Sequence, residues 1–598
     1  MSKKRAKQNK SNSIFQELLK VAPLIAAIAI IPLIVFLKVV PPNSATLLFT
    51  NGGENFDFFS YYKMVWLLIF TAIGLLMFIT KFATSRKSPL NKTKLYYPMA
   101  GYLVLVLLST IFAQYKGVAV QGFVDRYEGI WVLFAYIAIV FLGINLVEEE
   151  KQLKYILTAL GLSVAVMTVL GLTQFVGKDF LMTSFGKKLI LPKQLEHIAD
   201  ELNFTFARSK AIYATLYNIN FVGVYMSMVF ALSSTMFLTL KDKRFKFFFL
   251  AVSLMSFMTI LGSRSRAAMF GVIFYVLLVA IMLRKQLFIH WKSVLVMLVL
   301  AGAILFGVNT VRDGLIKDRF LAGLKSITAT REMDLEDIVF DDDKVTIVFN
   351  DYSMTIESLK DGFLFLDSNG NPLEMEQNDS VLNTLIEPYS KHRFEIQIHN
   401  DNPVLYTTLS TSLGRRSFRI VSDSGQMKAM YYDQSYLTDL KSPYFGFEGR
   451  EGMASSRGYI WSRTIPMLKE TIIIGHGPDT YALHFPHYDY VGKFKGFTNI
   501  NQIVDKPHNM YLQMAVNTGI LSVLALMALW GMYLFNSFKL YFKRPEYNTF
   551  TEAAGLSISL AVAVYLFTGL TNDSLISVAP VFWTLLGLGI WANKRISE

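Results

Sequence analysis

The sequence predicts an all-α polytopic membrane protein of about twelve transmembrane helices, with a β-rich extracytoplasmic insert. Three observations predict it. Of 598 residues, 53% are hydrophobic and only 17% are charged, which is outside the range of an ordinary soluble domain. Apolar runs close to the ~20 residues that span a bilayer recur along most of the chain. Lys and Arg, which outnumber the acids and give a formal charge of +13, concentrate in the short connections between those runs.

In chain order, the expected spans lie near 20–39, 63–81, 96–113, 130–147, 153–173, 212–240, 246–261, 266–284, 291–308, 509–537, 551–569 and 575–592. Helices are expected because lipid offers backbone groups no hydrogen-bond partner. The opening "MSKKRAKQNKSNSIFQELLK" reads as a basic cytoplasmic arm over 1–19. The apolar run after it has no small-residue cleavage signal, so it reads as a retained first span. "KFATSRKSPLNKTK", "KDKRFK", "LRKQLFIHWK", "KLYFKRPEY" and the tail "NKRISE" (593–598) then fall on one side, the cytoplasmic one by the positive-inside rule. "EEEKQLK" is an exception, but acidic residues carry little weight in that rule. The result is a nine-helix block over 20–308, an outside polar region over 309–508 and a three-helix block over 509–592.

Charge placed this way speaks for membrane topology and anionic lipid head groups. No nucleic-acid motif accompanies it, and nucleic acid is not an expected partner. The absence of cysteine excludes disulfides, thiolate chemistry and cysteine metal sites.

The region 309–508 is too long for a simple connection. It opens with a helix-like "RDGLIKDRFLAGLKSI" and an acidic "DLEDIVFDDDK". Strand-like pieces follow: "VTIVFN", "SMTIES", "GFLFLD", "HRFEIQIH", "VLYTTLS" and "SFRIVS", separated by turns such as "DSNGNP" and "SDSG". They predict a β-rich domain at about 335–445, followed by a catalytic loop at about 450–508. Asp341–Asp343 lacks the spacing of a calcium loop and reads as a solvated turn. No metal site is expected.

Polar chemistry gathers at a few outer boundaries. In "GSRSRAAMFGVIF" (262–274), Arg264 and Arg266 precede small residues that allow close helix packing. A guanidinium can grip phosphate through two parallel hydrogen bonds, or merely snorkel toward head groups. An outer-face arginine pair runs against the usual charge bias and asks for a reason. In "SSRGYIWSRTIPMLKETIIIGHGPDTY" (455–481), Arg457, Arg463, His476 and Asp479 are candidates for substrate contact. His476 equally suits a turn that satisfies its own backbone, and Asp479 equally suits a helix cap. In "KPHNMYLQMAVNTGIL" (506–521), His508 stands at the lip of a helix, where a neutral imidazole can take a proton from a sugar hydroxyl. Asn509 can orient it or bind substrate. "QGFVDRYEGIW" offers Arg126 and Glu128, and "YATLYNINFVGVY" offers Asn218 and Asn220. Each of these four can bind phosphate or sugar, or cap and pack helices.

The "SRAA" run after a span, "RGYIW", "IIIGHGPDTY", and "PHNMYLQMAVNTG" leading into a span resemble the O-antigen ligase and O-antigen polymerase superfamily of bacterial polytopic membrane glycosyltransferases. "YATLYNINFVGVY" resembles that family's Gly-Thr-Leu-Gly-Asn-Pro-Asn-Phe stretch with a glycine and a proline missing, and "TNDSLISVAPVFWTLLGLG" its closing span. The resemblance covers most of the chain apart from the β-rich insert. It implies a GT-C-like architecture and an undecaprenyl-diphosphate-linked oligosaccharide or polysaccharide donor. Transfer would go to a glycan, lipid or protein acceptor at the outer face of the bacterial cytoplasmic membrane, with no nucleotide sugar, metal or other cofactor. By the same resemblance Arg266 and Arg457 would contact the diphosphate, and His508 would activate or orient the acceptor hydroxyl. "SRSRAA" leaves open whether Arg264 or Arg266 is the matching arginine. The alternative class is a transporter of polysaccharide or lipid-linked glycan, which twelve spans suit on architecture alone.

Overall fold

Pro23 and Pro32 break the first apolar segment. The computed structural model describes residues 14–41, 53–86, 88–204, 209–311, 321, 325, 333–359, 362–399, 402–431, 435–497 and 499–598. Most of the basic arm and of the helix-like 312–327 stretch therefore lies outside the described residues. Ala22–Ile25 is α-helical, Ala26–Ile30 is a π turn and Ile31–Leu33 a 3-10 turn. The chain then enters β1 (Lys38–Val40), which pairs antiparallel with β2 (Asn55–Asp57). A proline has no N–H to give the preceding turn and its ring clashes there. The continuous helix expected over 20–39 is thus replaced by a pair, Ile14–Lys20 and Ala22–Leu33, bent by 70°.

The remaining apolar runs form α1 (Tyr61–Thr84), α2 (Tyr96–Ile111), α3 (Ile130–Leu146), α4 (Glu150–Phe175), α5 (Ile219–Thr239), α6 (Lys243–Ser263), α7 (Arg266–Met282) and α8 (Trp291–Val311). Later in the chain come α9 (Met453–Met467), α10 (Met510–Thr518), α11 (Ile520–Tyr541), α12 (Phe550–Thr568) and α13 (Ala579–Ser597). Among the described residues seven helices are long and apolar enough to cross a membrane, or eight if the bent pair is one span. The expected twelve is not reached on that measure. α2, α3 and α7 are apolar but shorter than a full span. The segment 509–537 is not one helix either. Gly519, at φ +96°, ends α10 and starts α11 in a new direction, a backbone setting that glycine alone adopts at little cost.

The chain forms two units. The first comprises Met1–Phe320, Thr471–Thr480 and His508–Glu598, and the second Leu321–Glu470 and Tyr481–Pro507. In the first, α5 is buried nearly all round and packs against α6, α7 and α12. An apolar helix enclosed this way is the core of a bundle.

In the second unit, β3 (Leu335–Asp341), β4 (Lys344–Phe349), β5 (Ser353–Leu359) and β6 (Gly362–Leu366) form a four-stranded antiparallel meander. A seven-stranded sheet follows, from β7 (Glu376–Asn378) and β8 (Val381–Asn383) through β9 (Arg393–His399), β10 (Asn402–Thr411), β11 (Gly414–Asp423) and β12 (Gln426–Met430) to β13 (Tyr436–Leu437), with neighbours in chain order. Alternation fixes the register. Val345, Ile347 and Phe349 of β4 turn inward, together with Phe394 of β9, Leu405 and Leu409 of β10 and Ile420 of β11. Tyr490, Val491 and Phe494 from the helix Tyr490–Gly496 close the same core. Asp341–Asp343 forms the turn between β3 and β4, with Asp341 facing Lys344 in the ladder.

Candidate functional site

His508 is held where α10 begins. Asn509 caps that helix: its Oδ1 accepts from the N–H groups of Tyr511 and Leu512, each at 3.0 Å, a cap worth about 1 kcal/mol. Its amide nitrogen donates to Leu570 O at 3.0 Å. Met510 N donates to Gly569 O at 2.8 Å, and the Tyr511 hydroxyl to Leu566 O at 2.7 Å. The first turn of α10 is thereby docked on the end of α12, and Asn509 acts as a cap and a tie. His508 itself sits at φ +51°, a left-handed setting that costs a non-glycine residue roughly 1–2 kcal/mol.

The imidazole faces a buried acid. His508 Nδ1 lies 2.9 Å from Asp573 Oδ2, with the histidine side chain 33% exposed and the aspartate 1% exposed. An Nδ1–H donated to a carboxylate leaves the lone pair on Nε2. Nε2 is then the nitrogen that can accept a proton. The sequence reading did not single out Asp573. Its only signal is the polar "TND" ahead of the closing apolar segment.

A second cluster forms where α5 and α7 begin. Asn218 caps α5, its Oδ1 accepting from Asn220 N at 2.8 Å. Ser265 caps α7, and its hydroxyl donates to Asn220 Oδ1 at 3.3 Å. Two helix N-termini are thus brought side by side, each with the positive end of its dipole. Arg266 is the first residue of α7 and is half-buried. Arg264, left-handed at φ +61°, ends α6 and donates to Ser209 O at 3.1 Å. The Ser265–Asn220 contact sets the start of α5, with Asn218 and Asn220, beside the start of α7, where Arg264 and Arg266 flank Ser265. Helix N-termini with an adjacent guanidinium suit a phosphate.

The Gly-His-Gly turn is a clamp on α10. His476 N donates to Val516 O at 3.0 Å and Gly477 N to Asn517 O at 2.8 Å. At Gly475 a Cβ would stand 2.3 Å from the carbonyl carbon of Asn517, so only glycine lets the two backbones meet. Asp479 is buried and receives Arg126 Nε at 2.7 Å, Phe123 N at 2.6 Å and Glu128 N at 3.2 Å. The pair Arg126–Asp479 joins this turn to the loop ahead of α3.

Arg457 and Arg463 lie on α9 in the second unit. Ala454, Ser455 and Ser456 are left-handed, at φ +50°, +63° and +67°, and Arg457 Nη1 donates to Ala454 O at 2.7 Å. Strain of this kind persists only where surroundings enforce it; here the Ser456 hydroxyl donates to Gly496 O at 2.6 Å. Trp461, one turn beyond Arg457, donates its Nε1–H to Pro507 O at 2.8 Å. Arg463 is buried: its Nε meets Asp489 Oδ2 at 2.6 Å, and its guanidinium lies 4.9 Å from the ring centres of both Tyr444 and Tyr459. That environment fixes α9 against its neighbours. Among the described residues no group of three or more His, Asp or Glu side chains is arranged to hold a metal ion.

Residues 402–527 match a family model described as O-Antigen ligase. The matched stretch runs from β10 through Arg457, the Gly-His-Gly turn and His508 into α11. No curated protein and no solved structure matches the chain. Taken with the apolar helices, the match supports the O-antigen ligase and polymerase superfamily as the family of this membrane protein.

Proposed function

We propose that the protein transfers a glycan from a lipid-diphosphate-linked donor to an acceptor hydroxyl at the outer face of the cytoplasmic membrane. The observation that carries this reading is the contact between His508, which lies within the matched residues 402–527, and buried Asp573, which lies beyond them. The acceptor oxygen attacks the anomeric carbon as His508 Nε2 takes its proton. The bond from that carbon to the diphosphate oxygen breaks, and the lipid diphosphate leaves with the electron pair. Arg266, at paired helix N-termini, and Arg457 meet the developing negative charge. Charge stabilisation of this kind is strongest where water is thinned out. The convergence of Arg457 with Arg266 and His508 is part of the proposal, as are the undecaprenyl tail and a GT-C architecture.

The test is in cells. Arg457→Ala or His508→Ala should leave the protein in the membrane, stop formation of polymer or conjugate, and let lipid-linked oligosaccharide accumulate. Unchanged glycan length and attachment in a well-expressed His508→Ala strain contradicts the assignment. Graded chain lengths from repeat units identify a polymerase, and transfer of one finished chain a ligase.

A further inference from the structure

Glu128 ends the loop held by Asp479, two residues ahead of α3, and it is buried, at 5% exposure. Its Oε1 accepts from the Tyr136 hydroxyl and from the Ser574 hydroxyl, both at 2.8 Å. Ser574 is the residue after Asp573. Beside this carboxyl group lies a cavity of about 20 Å³, lined among others by Glu128, Ser574, Gln513 and Asn517. Gln513 and Asn517 stand one turn apart on α10, the helix that starts two residues after His508. They are 3% and 6% exposed, and Gln513 Oε1 and Asn517 Oδ1 have no hydrogen-bond partner among the described residues.

Two buried acceptor oxygens on residues that line a cavity need a donor, because an unmet buried acceptor costs about 1–3 kcal/mol. A space of this size has room for one water molecule, which brings two O–H donors. A carboxylate beside the same space adds a further acceptor, whereas a neutral carboxylic acid adds an O–H donor.

We propose that this cavity holds a single internal water and that Glu128, as a neutral acid, completes its hydrogen bonds, tying α10 to the Asp573–Ser574 turn. Glu128 is then a positioning residue for the His508–Asp573 pair. The titratable and charged groups that face it are Arg126 and Asp479 from the two loops, which are paired with each other, and Tyr102 of α2, Tyr136 of α3 and Tyr565 of α12. The chemistry is consistent with its surroundings. Burial first, and the negative charge of Asp479 second, push the Glu128 carboxyl up to about 8, so the acid is neutral below that pH and ionises as pH rises through it. The role in transfer rests on the proposed function; the water and the neutral acid do not.

The experiment uses the full chain in lipid nanodiscs. The infrared difference spectrum of wild type against Glu128→Gln should show the C=O stretch of a protonated carboxylic acid at pH 7, lost as pH is raised past about 8. In a transfer assay, Glu128→Gln, which keeps a donor and an acceptor in place, should hold kcat near wild type and lose any fall in rate above pH 8. Glu128→Leu should lower kcat by up to about 100-fold with donor KM unchanged. Absence of the carboxylic-acid band at pH 7 overturns the neutral acid. Glu128→Gln as slow as Glu128→Leu, or a fully active Glu128→Leu, overturns the positioning role. If no transfer is found with any donor but the band is present, the network stands and the proposed function fails.

Discussion

Asp573 holds Nδ1 of His508 at 2.9 Å from a position 65 residues further along the chain. A carboxylate there fixes the tautomer that places the basic lone pair on Nε2 and stabilises the imidazolium that forms. Asp573→Asn removes the charge and offers N–H donors in place of an acceptor oxygen. It should lower kcat by about 10²–10⁴-fold, with the variant present at normal levels and donor KM little changed. Initial rates in proteoliposomes at several donor concentrations check this.

Arg126 and Asp479 make a buried pair. Removing one charge strands the other without water, at a cost of about 3–5 kcal/mol. Arg126→Met should therefore unfold at markedly lower temperature, and Arg126→Met with Asp479→Leu should recover much of the loss. If Arg126 instead touched the donor, the single variant would keep its thermal stability and raise donor KM.

Gly475 is the point where a turn meets the backbone of α10. A Cβ at that distance forces one of the two chains to move. Gly475→Ala should cost about 1–3 kcal/mol and slow transfer as well, because α10 carries His508 at its start. Thermal unfolding and the rate, measured on one preparation, check both parts.

Lys493 is fully buried in the second unit, and its Nζ has no hydrogen-bond partner among the described residues. Burial lowers its ammonium group to about 8, against the pull of Asp489. With the folded value below the unfolded one, its contribution is most favourable above the unfolded value near 10.5 and is lost as pH falls to about 8. Lys493→Met should stabilise the β-rich unit at neutral pH by on the order of 1 kcal/mol or more, and the gain should shrink as pH rises from 8 toward 10. Unfolding followed by near-ultraviolet circular dichroism across that range tests the sign.

Local signals in the sequence carried far. α7 starts at Arg266, where the apolar run expected over 266–284 begins, and Ser265 caps it. β4 occupies Lys344–Phe349 because Val345, Ile347 and Phe349 alternate with polar residues. Apolar length alone overstated the spans at 20–39 and 509–537, where proline and glycine break the helix. Pairing across distance left no trace in spacing. Nothing in "GPDTY" says that its aspartate meets an arginine 353 residues earlier, and nothing in "TNDS" says that its aspartate turns to His508. The left-handed turn at Ala454–Ser456 was equally hidden, since no glycine marks it.

The most direct measurement follows the bond itself. Purified protein in proteoliposomes is supplied with a lipid-diphosphate-linked oligosaccharide bearing a labelled glycan, with wild type and His508→Ala run side by side. The account predicts that wild type releases one lipid diphosphate for each glycan joined to an acceptor hydroxyl, and that His508→Ala binds the donor yet releases none. Transfer by His508→Ala at the wild-type rate, or glycan that crosses the bilayer still attached to its lipid in both, contradicts it.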